Sequence, residues 1–454
     1  MNTKSSKYTN TNNNYSSSYM STQREPTKKG IVNWRIITVA ALFFIMTGAI
    51  AFFPRNDKEI KPLVTSLSEG GPEIWKIRSI DTMKMSRDKA REKINDRAFE
   101  EVIEKEMKLI KGMGANYVAV GTPYDDEFLP YLKKWVKYAR ENDLNVWYRG
   151  SFSGYEGWFG YQKNISPDQL LVKTEQFIAA NKDLFKDGDI FDPCPECENG
   201  QFWPQPQSDQ NYNKFVQKKH QVLKQSFAKI NKNVIYNLNS IIGGRAKDVM
   251  DQETFDALGN IVAIDHYAKD LSSYTEYIKY FAKDHNTKLV FGEFGAPIPD
   301  LHGQMSEQKQ AEFIESVFNE LFKNSNDVKG INYWVLSDGT TAIINPDYTK
   351  RKAVDVIERY YKPAVLEGIV TDTNEEPVIN ATVRIANTNK FVTTNKNGFY
   401  QVALPEGNYE LLYEGLGYNT VTQRLSFGKE EKKTKNIILI PTSQDLWYRL
   451  RQIL

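Results

Sequence analysis

Two periodicities alternate through the middle of the chain. Short, largely apolar runs at 75–81, 116–121, 145–149, 189–192, 234–239, 261–267, 288–293 and 330–336 predict strands. Stretches with apolar residues at helical spacing, at 99–113, 131–142, 169–185, 213–230, 307–323 and 351–360, predict helices between most of them. Strand followed by helix, repeated, argues for a parallel sheet wrapped by helices. Eight strands in about 290 residues is the size of a (β/α)8 TIM barrel, which is placed at 56–362. An open doubly wound sheet is the alternative, but no glycine-rich phosphate loop follows the first strand.

The pattern changes on both sides of this region. From 363 to 441 polar and apolar residues alternate in short runs broken by turn signals, Asn397-Gly398, Pro405-Glu406-Gly407 and Gly415-Leu416-Gly417, as expected of an all-β sandwich. The tail, 442–454, places Leu446, Trp447, Leu450 and Ile453 on one face of a short helix. At the other end, residues 1–33 are rich in Asn, Ser and Thr and poor in large aliphatics, and are expected to be disordered. Residues 36–53 are all apolar or small, long enough to span most of a bilayer as a helix, so 34–55 reads as a transmembrane anchor with the lipid bilayer as partner. Lys4, Lys7, Arg24, Lys28, Lys29 and Arg35 precede this run against the single acid Glu25, which keeps the N-terminus cytoplasmic and the rest outside. A cleaved signal peptide is the alternative, because Ala49-Ile50-Ala51 has the small-x-small pattern. In either case the folded part is exported.

Composition narrows the function. The 59 basic and 57 acidic side chains nearly cancel, so no whole-molecule field attracts nucleic acid. Cys194 and Cys197 are the only cysteines and no disulfide framework exists; in an oxidising compartment the two either bond to each other and stiffen their loop or stay as inert thiols. A structural zinc needs two further ligands, and the histidines at 220, 266, 285 and 302 show no matching spacing, so no metal and no cofactor is expected. A thioredoxin-like dithiol needs the motif to open a helix, whereas Glu198-Asn199-Gly200 reads as loop.

In a parallel barrel the reactive groups sit at the C-terminal strand ends. The seventh strand, KLVFGEFGAP, delivers Glu293 there, bracketed by Gly292 and Gly295. A carboxylate at such a point costs several kcal/mol to bury unless it is paired, so it needs a reason; the bland one is a barrel-mouth salt bridge. Glycoside hydrolysis with retention supplies another, since it uses a carboxylate and a carboxylic acid about 5 Å apart. The fourth strand, DIFDPCPECENG, offers Glu196 and Glu198 as the second group.

The fourth-strand Glu, AIDHYAKD on the sixth strand, GEFG on the seventh and YWVLSDG on the eighth together resemble clan A glycoside hydrolases, nearest to family 5 and family 113 barrels. The resemblance implies Glu293 as nucleophile and Glu196 as acid/base. It also implies His266 and Tyr267 near the cleft floor, with Tyr267 donating to Glu293, and Trp334 as a platform under the sugar. Arg149, closing the third strand in WYRGSF, is a donor to the nucleophile or to a sugar hydroxyl, with a structural ion pair as the plain alternative. Trp158, Phe159, Tyr161 and Trp203 offer stacking faces in loops, and Glu198 and Asn199 flank the acid/base. The clan places Asn directly before its acid/base, whereas Pro195 precedes Glu196 and Cys197 precedes Glu198, so the choice between the two glutamates stays open. Residues 366–418, LEGIVTDTNEEPVINATVRIANTNKFVTTNKNGFYQVALPEGNYELLYEGLGY, resemble the carboxypeptidase regulatory-like domain, which implies an immunoglobulin-like sandwich without chemistry of its own. The expected function is hydrolysis of a β-linked oligo- or polysaccharide outside the membrane. The competing one is a non-catalytic carbohydrate-binding or surface-assembly protein on the same barrel, and a redox module built on Cys194 and Cys197 is a distant third.

Overall fold

The computed structural model describes residues 73–199, 202 and 208–442. The chain divides into Met1–Lys58 and Glu59–Leu454, and every described residue belongs to the second unit. The expected disordered segment, the 36–53 span and the tail helix lie outside the described residues. Among the described residues no helix is long and apolar enough to cross a membrane.

Eight parallel strands form one curled sheet: β1 (Ile77–Asp81), β2 (Tyr117–Val120), β3 (Asn145–Tyr148), β4 (Ile190–Phe191), β5 (Ser240–Ile242), β6 (Ile261–Asp265), β7 (Lys288–Phe294) and β8 (Val328–Tyr333). Their order is β4-β3-β2-β1-β8-β7-β6-β5. The two edges meet through Ile235, which bridges Ile190 in parallel and exchanges backbone hydrogen bonds with Asp189 and Phe191 at 2.8 Å. The fold is therefore α/β and TIM-barrel-like. The fifth strand differs from expectation: 234–239 is apolar enough to read as a strand, but only Ile235 bridges. The side chains of Asn237 and Asn239 turn to Leu258 O and Tyr212 Oη, and ladder pairing with β6 begins at Ser240.

Helices cover the outside of the sheet for the reasons the sequence displays. Pro167–Ala180 opens with a capping box, in which Ser166 Oγ accepts from Gln169 N at 3.3 Å and Gln169 Oε1 accepts from Ser166 N at 2.8 Å, with Pro167 in the first turn. Phe99–Gly112 and Glu307–Lys323 bury one stripe each, Phe99, Ile103, Met107 and Ile110 in the first and Ile314, Val317, Phe318 and Leu321 in the second. Inside the curl lies a separate apolar layer: Ile77, Ala119, Trp147, Ile190, Ile235, Leu238, Ala263 and Val290 among others. These are alternate positions of the strands, as side chains of period two require. The next inward positions toward the C-terminal ends are Ser79 and Asp81, Arg149, Asp265, and Gly292. The barrel thus has an apolar floor and a polar mouth.

After the barrel come two small sheets. One has the order β11 (Phe391–Thr393), β10 (Thr382–Ile385), β13 (Gly407–Glu414), β14 (Val421–Phe427); the other has β12 (Phe399–Leu404), β9 (Ala364–Thr371), β15 (Lys432–Thr434), with β16 (Ile437–Ile438) also on β9. Tyr400 and Tyr413 join the sheets through a 3.0 Å hydroxyl contact. Asn389 Nδ2 donating to Asp327 at 2.7 Å and Lys429 Nζ to Glu358 at 2.9 Å tie them to the barrel helices and loops.

Candidate active site

Arg149, the residue after β3, is fully buried at the mouth and organises it. Its Nη2 donates to Glu293 Oε1 at 2.7 Å and to Asp265 Oδ2 at 2.9 Å, and its Nη1 donates to Ser240 Oγ at 2.7 Å. Ser240 Oγ in turn donates to Asp265 Oδ1 at 3.2 Å, and Arg149 Nε lies 3.7 Å from Asp81 Oδ2. The second oxygen of Glu293 accepts from Tyr267 Oη at 2.7 Å. Both oxygens of Glu293 therefore have a donor, an arrangement that stabilises a carboxylate and fixes its plane. Asn332 on β8 donates to Asp81 Oδ2 at 3.0 Å and to Gly292 O at 2.9 Å, linking the first strand to the seventh.

Strict alternation would turn Glu293 away from the mouth, because Val290 and Gly292 already point inward. The register between β6 and β7 shifts instead: Ile264 pairs with Phe291, but Asp265 pairs with Glu293. The shift recurs against β8, where Phe291 pairs with Ile331 and Phe294 with Tyr333. One extra residue in β7 re-aims Glu293 into the mouth and returns Phe294 to the outside, the work of a β-bulge. Gly292 makes this possible. A Cβ there would lie 2.4 Å from Asp265 Oδ1, 2.8 Å from Ser240 Oγ and 3.1 Å from Arg149 Nη1. A Cβ at Gly295 would fall 2.0 Å from Trp334 O. The two glycines of GEFG are thus steric requirements of the cluster and of the Trp334 loop.

Glu196 arrives from the loop after β4. Asp192 fixes the start of that loop, accepting from Cys194 N, Ser240 N and Lys219 Nζ at 3.3, 2.9 and 3.0 Å. Cys194 and Cys197 are disulfide-bonded. Between them Glu196 takes φ +52°, a left-handed conformation that costs a non-glycine residue ~1–3 kcal/mol, and its N–H donates to Ser240 O at 3.0 Å. The result is that Glu196, Asp265 and Glu293 each present a carboxyl oxygen within 4.8 Å of the others. Glu198 is not in that group. Its side chain is buried and Oε1 accepts from Ile242 N at 2.7 Å, so it pins the loop to β5.

Burial and crowding set the protonation. Four carboxyls, Asp81, Glu196, Asp265 and Glu293, share one guanidinium. Burial first, then the charge of Glu293, pushes Glu196 up to about 7. Burial raises Asp81 to about 6 against the opposing pull of Arg149, and it raises Asp265 well above the ordinary carboxyl range. The Tyr267 phenol is likewise raised, by burial and then by Glu293, so it stays a donor. Glu198 is lifted to about 8 by burial.

The remaining expected residues fall into two groups. Asn199 donates to Glu196 Oε2 at 3.2 Å. Trp334 is part-buried, packed edge-on to Tyr267 at 5.9 Å, with Lys84 Nζ 5.5 Å above its ring. Trp158 stands apart, under the Arg87 guanidinium at 4.9 Å. His266 follows Asp265 and so faces the other way: it bonds Ser273 Oγ at 2.9 Å, packs edge-on to Tyr274 and Tyr277, and is lowered to about 4 by burial. Its place is in the packing behind the sheet, with its N–H on Glu293 O at 2.9 Å as the link to the site. Trp203 lies outside the described residues. Asp265, Asp81, Ser240 and Asn332 were not singled out from the sequence, yet the strands IRSID and IVAID each end on an acid, as the run KLVFGE does at Glu293, and that signal marks two of them.

A curled sheet of eight parallel strands with its polar cluster at the C-terminal ends defines a TIM-barrel-like α/β protein, and among the solved structures similar to the chain are glycoside hydrolases. A GH5-4 broad specificity endoglucanase from Clostridium longisporum is 16% identical, over 57% of this chain and 85% of that one, at a TM-score of 0.41. The cellulose synthase subunit Z from Clostridioides difficile is 15% identical over 62% and 99%, at 0.41. A glycoside hydrolase family 30 subfamily 8 xylanase from Clostridium acetobutylicum is 11% identical over 72% and 77%, at 0.40. Residues 366–446 match the CarboxypepD_reg-like domain family. A stretch of 81 residues is 35% identical to Carboxypeptidase D of Homo sapiens and of Mus musculus, 18% of this chain but only 6% of theirs.

Proposed function

We propose that the chain is a retaining glycoside hydrolase acting on a β-linked oligo- or polysaccharide, with Glu293 as nucleophile and Glu196 as acid/base. The observation that carries this reading is the approach of their carboxyl oxygens to within 4.8 Å at the barrel mouth. Retention works at ~5 Å, whereas inversion needs ~6.5–9.5 Å to admit a water between the carboxyls. Glu293, its two oxygens held by Arg149 and Tyr267, attacks the anomeric carbon. Glu196, protonated up to about pH 7, gives its proton to the leaving oxygen. Once Glu293 is esterified its charge is gone, the largest like charge acting on Glu196 disappears, and Glu196 becomes the base that activates water. Trp334 supplies the apolar face for the sugar, and Asn199 steadies Glu196. The same reading places the barrel outside the cytoplasmic membrane, held by residues 36–53, with the regulatory-like domain as support.

The test is a panel of aryl β-glycosides and polysaccharides offered to the full-length protein, with Glu293→Gln and Glu196→Ala alongside. Turnover should fall by on the order of 10⁴-fold in Glu293→Gln, and azide should restore cleavage of an activated substrate in Glu196→Ala. Polysaccharide binding without turnover in the parent would replace this reading with that of a carbohydrate-binding barrel.

A further inference from the structure

Among the described residues nine large hydrophobic side chains are exposed, and six of them, Ile369, Ile379, Phe399, Leu416, Ile438 and Ile440, belong to the domain behind the barrel. They are gathered together. Phe399 pairs with Ile369 and Ile438 with Thr371, while Val370 and Ile437 turn inward, so Ile369, Phe399, Ile438 and Ile440 share the outer face of the sheet formed by β12, β9 and β16. That face runs into the end of the domain made by the 372–379 loop, the 415–420 turn and residues 439–442. There Ile379, Ile438 and Ile440 are 55%, 59% and 57% exposed, and Leu416, between Gly415 and Gly417, is wholly so. The contacts with the barrel lie at the opposite end: Asn389 on Asp327, Lys429 on Glu358, and Tyr409 against Phe322 at 6.0 Å. Single exposed aliphatics are ordinary on a protein surface, whereas a cluster of them at a domain tip marks a contact surface.

We propose that this tip is a lipid contact, with Ile379, Leu416, Ile438 and Ile440 entering the headgroup and acyl boundary of a bilayer, ~5–10 Å deep. Asp327 precedes β8, and Glu73 precedes β1, which pairs with β8. The domain therefore sits at the N-terminal face of the barrel, where the chain enters from residues 36–53, and its tip points away from the mouth. Residues 54–72 reach up to ~60 Å when extended, so a bilayer held by 36–53 is within range of the tip. The proposal rests on that anchor for this nearness and adds a second contact to it. The surface is aliphatic and ends on a fully exposed turn, which suits insertion into lipid. The chain also leaves the domain here, Thr442 N donating to Gly417 O at 2.9 Å. The sequence that follows carries Leu446, Trp447, Leu450 and Ile453 with Arg449 and Arg451, the mixture of aliphatic, tryptophan and cationic side chains that favours a headgroup boundary. Glu375 and Glu376 on the adjoining loop are exposed, so the contact is apolar insertion and not attraction to anionic lipid.

The experiment places an environment-sensitive dye on Leu416→Cys, on Ile440→Cys and, at the barrel end of the domain, on Glu406→Cys in the full-length protein mixed with phosphatidylcholine vesicles. Cys194 and Cys197 are bonded to each other and buried, so the label goes to the introduced thiol. Vesicles should shift the dyes at 416 and 440 to the blue, and lipids bearing a nitroxide near the headgroup should quench them, while the dye at 406 keeps its emission. Raising the salt concentration should leave the quenching in place. Flotation of the vesicles shows separately whether the protein is held. Protein that floats while both tip dyes keep their emission in water retains the anchor and overturns the lipid contact. Tip dyes that are blue before vesicles are added and stay unquenched afterwards also overturn it, because residues 443–454 or a second copy of the chain then cover the tip. Protein that neither floats nor shifts its dyes overturns anchor and tip together.

Discussion

Replacing Arg149 by Met keeps the volume of the side chain roughly constant and removes the buried guanidinium charge from the mouth. Its guanidinium makes close contacts with Glu293, Asp265 and Ser240 and lies 3.7 Å from Asp81. Breaking a buried ion pair by removing one partner costs ~3–5 kcal/mol, because the charge left behind is uncompensated. That cost depends on pH in a definite direction. Burial already raises Asp81 to about 6 and Asp265 well above the ordinary range, while unfolded aspartates titrate near ~3.9. Groups raised in this way keep their protons in the folded state after the unfolded chain has lost them. The folded state thus loses stability as pH rises from the unfolded value through the folded one, by up to about 1.4 kcal/mol per pH unit for each retained proton. Taking away Arg149, which opposes the rise at both aspartates, steepens that loss. The stability difference between wild type and Arg149→Met should therefore be small near pH 4.5 and reach ~3–5 kcal/mol by pH 8. Urea unfolding followed by tryptophan fluorescence reports mainly on the barrel, since six of the eight tryptophans lie within residues 56–362, Trp34 and Trp447 being the exceptions, and Trp75, Trp135 and Trp147 are fully buried among the barrel elements. A difference that is flat across this range would mean that Arg149 contributes packing rather than charge, and the electrostatic account of the mouth would fall.

Gly292→Ala should lose ~1–3 kcal/mol in the same urea assay and on the order of 10²-fold in kcat, because its methyl must displace Asp265, Ser240 or Arg149. Wild-type stability with wild-type turnover would contradict the bulge geometry. The basic limb of kcat/KM in the wild type should fall near pH 7, where Glu196 gives up its proton, with activity present below and lost above; a limb set above pH 9 would exclude Glu196 as the acid. Reduction of Cys194–Cys197, or the Cys194→Ser/Cys197→Ser pair, frees a small loop worth about 2 kcal/mol. It should lower kcat more than it raises KM, since the strained backbone of Glu196 loses its clamp; unchanged kcat in the reduced protein would show that Ser240 and Asp192 hold the loop unaided.

Much of this fold is written in hydrophobic alternation. The strand segments at 116–121, 145–149, 261–267 and 288–293 overlap β2, β3, β6 and β7, because each is a short apolar run followed by a loop at its C-terminal end. What the alternation does not carry is which face wins when the register changes. At the sixth strand it gives Asp265 inward, His266 outward and Tyr267 inward, and a histidine beside a candidate nucleophile is easily read as part of the site when it is part of the packing. At the seventh it gives Gly292 inward and leaves Glu293 to a bulge that depends on β6 and β8 together. Glu196 and Glu198 are separated by one residue in a loop, and nothing local chooses between them. Long-range contacts do, Glu196 N to Ser240 O and Glu198 Oε1 to Ile242 N, both to a strand more than forty residues away.

Charge placement explains why the bulge and the cluster belong together. A single guanidinium cannot neutralise four buried carboxyls, so protons must stay in the mouth at neutral pH, and the geometry decides where. Glu293 holds the best donors, a guanidinium on one oxygen and a phenol on the other. Glu196 meets Glu293 and Asp265, both acids; burial and the charge of Glu293 raise it to about 7, and burial raises Asp265 well above the ordinary carboxyl range, so protons are kept at these two. Without the extra residue in β7, Glu293 would leave the mouth, Arg149 would serve Asp265 and Asp81 alone, and Glu196 would lose the charge that holds its proton. One bulge at a glycine thus brings Glu293 to the donors of Arg149 and Tyr267 and places it beside Glu196, the pairing of carboxyls that the proposed retaining hydrolysis requires.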